Sequence, residues 1–568
     1  MILAPTQLDV TRYLSAQGLT YFAQRKGVLR FRGTLKCKQG PIQVELAIRD
    51  WDFITYPTIR LLERPVALQG VQAHLTARSG LCYYTPGSVV LDRYDAVSAL
   101  AQCLAQATHV LDELVLNPEY RRTELTREYL AQWSVAQDPT PWLVVRAGVS
   151  STSTNAHMAQ VGQRFFIFGD DLNELTAIAK AMGEPLHDYG SGFVWVLRTT
   201  KWPPMSASFP ADVHSLFEWL KAWDKDLYGD LQRRLGKDRT YWKSPLLYLV
   251  IDGPAGWLGV EVPLGGLSVR ILGKRKPALY RQHMHGKGKI VRIARLSVLD
   301  WSADFVHSRN LDFKDLTDKR ITLVGCGAIG SHLAEALVRL GAGRGKRGQL
   351  RIIDPDVMSA ENLGRHALGY PALLEDKASA MEAELRRTFP LANVSSVVGD
   401  ALAVPDIFKG DLLIDATGEE ALSETINARQ IAAGASACAV LYVRISGTGG
   451  AVQSLWVDAG GKGACFRCLR KNDPQSHRAE RFPIEKNNDP AWVMRGCHAV
   501  TPYAVSAPMH AAALATDVVA DWLKGNVSPR LRVLARPGAD VYEVKDQDPK
   551  RLDNCPACNP PAALQKAG

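Results

Sequence analysis

The sequence predicts an α/β multidomain protein, with an α+β domain over residues 1–138, a middle α/β module over 139–304 and a Rossmann-like domain over 305–568. Three observations predict it. Short β-like runs separated by glycine and proline crowd residues 28–62. A glycine-rich turn, Gly325-x-Gly327-x-x-Gly330, joins an apolar run to a helical pattern. Two Cys-x-x-Cys pairs, Cys465/Cys468 and Cys555/Cys558, stand far apart in the C-terminal domain.

In chain order, Gln7–Gln17 has the spacing of an amphipathic helix. Val28–Cys37, Ile42–Ile48 and, after the Tyr56-Pro57 break, Thr58–Leu62 read as an antiparallel meander. A loop-like stretch, AHLTARSGLCYY, carries His74 and Cys82. Helical spacing returns over Tyr94–Leu116 and in a further helix ending near Trp133. Beyond Pro139–Pro141 come strand-like runs (Trp142–Arg146, Phe165–Phe168, Phe193–Leu197, Leu246–Asp252) and helices (Asn173–Met182, Ala211–Ala222), with no motif carrying chemistry. The clusters Lys274–Lys276 and Lys287–Lys289 read as solvated basic loops. In the last domain Ile321–Val324 reads as a buried parallel strand and Ser331–Leu340 as a helix. Leu350–Ile353 and Leu412–Ile414 are further strands, ending in Asp354 and Asp415.

Composition is that of a soluble chain, 46% hydrophobic and 22% charged. A net charge of +10 over this length is the mark of a solvated basic surface, and no motif for DNA or RNA accompanies it. No basic-then-apolar leader opens the chain and no apolar run is long enough to span a bilayer. Ten cysteines, four of them in the two pairs, suit a reducing compartment, so a cytoplasmic location without membrane or direct nucleic-acid partners is expected.

The three glycines allow a sharp turn and bring amide N–H groups close to a phosphate at a helix N-terminus, and Asp354 is placed for a ribose hydroxyl. That much fits any nucleotide-binding unit. The polar residues farther along are more discriminating: Asp354-Pro-Asp356, Asn362-x-x-Arg365-His366, Lys377 and Asp415-Ala-Thr417. Hydride transfer has no use for an arginine and a lysine at its nicotinamide pocket, whereas splitting ATP needs cations on the phosphates and a carboxylate for magnesium. This series resembles the ThiF/MoeB/ubiquitin-activating (E1-like) family, over roughly Arg309 to Cys558, which adenylates the C-terminal carboxylate of a small protein. The resemblance implies that Gly325, Gly327 and Gly330 cradle phosphate, Asp354 holds ribose, Arg365 and Lys377 meet developing phosphate charge, and Asp415 holds Mg2+. Asn362 orients the loop or touches phosphate. His366 stands where many relatives carry Gln. Arg309 is the candidate for an arginine that such domains extend into the partner subunit of a homodimer.

Four thiolates delivered as two pairs can enclose zinc tetrahedrally with no open position, so Cys465, Cys468, Cys555 and Cys558 are read as a structural Zn2+ site. Members that form thioesters place a cysteine ahead of a late helix, which implies Cys497, with Arg495 and His498 favouring its thiolate. Cys103, Cys326 and Cys438 read as core.

The N-terminal order of helix, meander, Pro turn, His-to-Cys loop and helices resembles the ubiquitin-conjugating (E2-like) family. Cys82 matches its catalytic cysteine and His74 the start of its H-P-N motif, whose Pro and Asn are replaced here by Leu75 and Thr76. His74 is read as loop architecture. An E2-like domain ahead of an E1-like one resembles the bacterial fusion of type II CBASS anti-phage operons. That implies ATP-dependent activation, thioester capture on Cys497, transfer to Cys82 and conjugation to an amine, the activated partner being a ubiquitin-like protein or a cGAS-like nucleotidyltransferase. The alternative is a sulfur-carrier adenylyltransferase with a non-catalytic N-terminal binding domain.

Overall fold

A computed structural model describes residues 5–135, 143–205, 208–238, 245–459, 463–471, 479–486, 493–495 and 498–560. The chain divides into two compact units, Met1–Leu175 with Pro185–Trp301, and Thr176–Glu184 with Ser302–Gly568.

In the first unit, five antiparallel strands follow one another in space as in sequence: Leu19–Arg25, Val28–Cys37, Gly40–Ile48, Thr58–Leu61 and Gly80–Leu81. Alternation places Phe31, Val44, Leu46 and Ile59 on a face covered by helices Pro5–Ala16 and Ala96–Leu116. The meander expected from sequence is present, extended by a strand before it and a short one at Gly80–Leu81. The long helix starts at Ala96 because Asp95 caps it, accepting the Ser98 N–H.

The middle region mixes helices and strands, and its strands form a closed sheet. Seven strands close into a barrel in the order Leu246–Gly253, Gly256–Pro263, Ala294–Asp300, Leu143–Arg146, Phe165–Gly169, Asn155–Val161 and Leu186–Arg198. Helices Val213–Trp223, Lys225–Lys237 and Pro277–Lys287 share its apolar packing. Helix Tyr129–Val135, which ends the first domain on sequence grounds, packs Tyr129 and Trp133 into this same cluster. Lys274 and Lys287 are not loop residues. They occupy the last turns of Leu267–Arg275 and Pro277–Lys287, where cations complement the helix dipole.

The second unit is built on a seven-stranded sheet ordered Val394–Val398, Gln349–Asp354, Arg320–Val324, Leu412–Asp415, Ala439–Ser446, Ala451–Val457 and Leu531–Ala535. The first five are parallel and the last two antiparallel. Strand order reverses beside Arg320–Val324, so the carboxyl ends of that strand and Leu412–Asp415 border a crevice. Helices Ala328–Arg339 and Ser506–Leu523 pack into one cluster with the sheet through Leu333, Leu337, Ala511, Ala515 and Val518. Among the described residues no helix is long and apolar enough to cross a membrane.

Candidate active site

At that crevice the glycines act as their spacing requires. Gly325 adopts φ +87°, closed to most side chains. A Cβ on Gly330 would stand 1.8 Å from the Gly325 carbonyl oxygen, so only glycine lets helix Ala328–Arg339 start this close to the strand. Gly327 faces open space, leaving its backbone accessible at the helix N-terminus. A cleft of about 1090 Å³ opens there, lined among others by Gly325, Gly327, Asp354, Asp356, Arg365 and Lys377.

Asp354 ends its strand with both carboxylate oxygens engaged, accepting the amides of Cys326 (2.6 Å) and Asp356 (2.8 Å). Burial raises its pKa against the pull of those amides and of Lys377. Lys377 opens helix Lys377–Thr388, and its Nζ lies 2.8 Å from Asp356 Oδ2. Arg365 stands over the Tyr503 ring at 5.5 Å.

Other predicted residues lie elsewhere. Asp415 is fully buried and outside the cleft lining, its carboxylate accepting from the Thr417 and Ser423 hydroxyls. Burial raises its pKa. Asn362 also lies off the cleft; its Oδ1 accepts from the Ser359 N–H and hydroxyl, which makes it a loop brace here. Arg309 is exposed on Phe305, away from the lining.

Sequence reasoning gave no role to His366. Its Nδ1 accepts the Leu368 N–H, so Nε2 carries the proton and donates to the Cys326 carbonyl at 2.7 Å, tying the 362–368 loop to the glycine turn. Burial lowers its pKa and keeps it neutral in the fold. His366→Leu is expected to cost about 1–3 kcal/mol in denaturant unfolding by leaving those groups unpaired. Because the unfolded chain takes up the proton first, stability is present above about pH 6.5 and falls as pH drops below it. Lys486, Arg536 and Asp540 also line the cleft, from segments far along the chain with no local motif to announce them.

The four paired cysteines converge. Sγ separations are 3.8 Å (Cys465–Cys468), 3.7 Å (Cys465–Cys555) and 3.5 Å (Cys468–Cys558), and all four sulfurs lie within 4.8 Å of one another. Tetrahedral zinc with Zn–S of about 2.3 Å sets sulfurs about 3.8 Å apart, so the cluster fits that ion.

In the first unit Cys82 is exposed, and its N–H donates to the His74 carbonyl at 2.8 Å. Surrounding protein and the Glu128 carboxylate push its thiol pKa up. Cys103, Cys326 and Cys438 are buried. Cys497 lies outside the described residues; its neighbours Val493–Arg495 and His498–Val500 pair as short antiparallel strands.

Residues 302–556 match the ThiF family. An ATP-dependent ubiquitin transferase-like protein Cap2 of Pseudomonas aeruginosa (strain BWHPSA011 / Pa011) is 30% identical over 564 residues, spanning 97% of this chain and 98% of its own. The chain belongs to the Cap2 family. A second Cap2, of Escherichia coli (strain TW11681), is 25% identical over 92% of both chains. Among solved structures, E. coli MccB with ATP aligns over 42% of this chain and 66% of its own, at 16% identity and a TM-score of 0.32. As a Cap2-family protein with a ThiF domain, the chain is an enzyme of the E1-like adenylyltransferase type, which implies ATP and Mg2+.

Proposed function

We propose that the cleft adenylates the C-terminal carboxylate of a partner protein, that Cys497 takes the acyl group as a thioester, and that Cys82 receives it and delivers it to a target amine. The observation that carries the reading is the convergence of the open helix N-terminus at Gly327, Lys377, Arg365 and Asp354 on one cleft. The partner carboxylate attacks the α-phosphorus of ATP, and the bond to pyrophosphate breaks. Lys377 and Arg365 neutralise charge growing on the phosphoryl oxygens, and Asp354 anchors the nucleoside. Magnesium would supply further charge neutralisation; Asp415, expected to hold it, is buried behind the cleft and bonded to the Thr417 and Ser423 hydroxyls, so no step is assigned to it. The thiolate of Cys497 then attacks the acyl carbon and AMP leaves. Exchange onto the Cys82 thiol comes next, and an amine, lysine above all, displaces that thiol.

On this reading residues 1–138 form an E2-like conjugating domain, 139–304 a connecting module and 305–568 the activating domain. The enzyme works in the cytoplasm as a homodimer, with Arg309 reaching the partner subunit's nucleotide. Zinc at the four cysteines is structural. The activated protein is a cGAS-like nucleotidyltransferase primed for antiviral defence. The test is ATP–pyrophosphate exchange with a purified cGAS-like nucleotidyltransferase. Exchange that needs its free C-terminal carboxylate, and disappears when that carboxylate is amidated, is the expected result. Exchange indifferent to amidation contradicts the reading.

A further inference from the structure

Cys82 and His74 face each other across a small hairpin. Leu75 bridges Leu81, the Thr76 N–H donates to the Gly80 carbonyl, and the Cys82 N–H closes on the His74 carbonyl. Arg64 pins the turn through the Thr76 carbonyl and the Ser79 hydroxyl. His74 itself sits at φ +59°, a left-handed conformation uncommon outside glycine.

Glu128 grips His74 twice. One carboxylate oxygen accepts the His74 backbone N–H at 2.8 Å and the other lies 2.9 Å from Nδ1. On the far side of the ring Nε2 lies 3.3 Å from Glu124 Oε2, and Tyr120 stacks at 6.3 Å. Nδ1 meets the Glu128 carboxylate at hydrogen-bond distance, while Nε2 makes no hydrogen bond and has the Glu124 carboxylate as a nearby charge, so the two carboxylates together favour the imidazolium. The groups facing His74 are Glu124, Glu128 and Tyr120. Arg127 draws on Glu124 at 2.7 Å and Gln132 reaches Glu128 at 3.4 Å.

We propose that Glu128 and Glu124 are positioning residues that hold His74 as imidazolium in the bend presenting Cys82, so that acyl acceptance by Cys82 weakens when the clamp loses its proton. This rests on the reading of Cys82 as acyl acceptor. The carboxylates raise the His74 pKa against the opposing effect of burial. A raised folded pKa means the clamp is complete below the ordinary histidine pKa of about 6.5 and is lost as pH rises through the folded value. The thiol runs the other way, since it gains thiolate as pH rises. The two dependences can therefore be separated.

The probe is a short peptide α-thioester of 2-mercaptoethanesulfonate, which acylates a thiol by exchange and releases the small thiol. Loading of Cys82 in full-length Cys497→Ala protein is measured by peptide mass spectrometry from about pH 6 to about pH 9. Each rate is divided by the thiolate fraction from iodoacetamide alkylation at the same pH. The corrected rate is expected to fall about fivefold or more across that range in the Cys497→Ala background, and to stay flat when Glu128→Gln is added. Glutamine keeps an oxygen for the His74 N–H but not the charge. Glu124→Gln is expected to flatten it partly, and gives a second reading should Glu128→Gln fail to fold. A falling profile shared by parent and both variants, or a flat parent with Cys82 loading normally, overturns the clamp. If Cys82 is alkylated but never loaded at any pH, the acceptor reading falls, and the clamp's role with it.

Discussion

Replacing Lys377 by methionine is expected to lower ATP–pyrophosphate exchange by about 10²–10³, roughly 3–4 kcal/mol of transition-state stabilisation, with the fold intact. A cation at the first position of a helix opposes the helix dipole. The side chain is also only 8% exposed, so its place is not one that stability selects. Its ion-pair partner, Asp356, is 65% exposed and stays hydrated when the lysine goes. Methionine retains the apolar stem, so little packing is lost, and buried Asp354 loses a nearby cation but keeps its two amide donors. The charge alone is removed, from a cleft where, on the proposed reading, growing phosphate charge is otherwise met by Arg365 and backbone amides. Asp356→Asn should cost less than about tenfold, because the lysine it restrains remains. Thermal unfolding beside the exchange assay separates the two readouts, and a Lys377→Met enzyme within about threefold of wild type would remove Lys377 from the chemistry.

Loss of the four-cysteine cluster, read as a structural zinc site, is expected to have the larger structural effect. Structural zinc sites contribute on the order of 10 kcal/mol of apparent binding energy, which on the proposed reading would tie the tail to the domain. Cys555 and Cys558 close onto the turn Phe466–Leu469, and the tail is further held by Arg481 on the Lys550 carbonyl and by Leu531 pairing with Gln547. The same tail supplies Arg536, Gly538, Ala539, Asp540 and Val541 to the cleft. Cys468→Ser should therefore lower bound zinc from about one per chain to near none by elemental analysis. It should also open the tail to proteases and weaken adenylation. Full zinc content in Cys468→Ser, or unchanged protease resistance in metal-free protein, would contradict a closed structural site.

Sequence alone carried the parts of this molecule whose physics is local. Gly325, Gly327 and Gly330 announce a turn because only glycine tolerates those conformations and approaches, and the structure places them as read. The spacing of the two cysteine pairs foretold their convergence. The meander was legible from alternation, but Leu19–Arg25, half exposed and mixed in pattern, was not. The barrel escaped because closure is a property of seven strands together, and the run Asn155–Val161 carries too many small and polar residues to be read by itself. In the site, Asp415 was legible as the end of a strand, but its turn toward Ser423 depends on a residue eight positions on, in helix Glu420–Ala433. His366 looked like a tolerated substitution because its acceptor, the Cys326 carbonyl, is supplied by another loop. Lys486, Arg536 and Asp540 reach the cleft only through the folded paths of two segments, 479–486 and the tail.

The relay itself is tested most directly on non-reducing gels of the full chain, expressed with its neighbouring genes, as wild type, Cys82→Ala and Cys497→Ala. The account predicts a thiol-labile adduct that accumulates on Cys497 when Cys82 is absent, and no adduct at all without Cys497. Adducts and conjugates indifferent to Cys82 would contradict it and favour a sulfur-carrier adenylyltransferase whose first domain only binds.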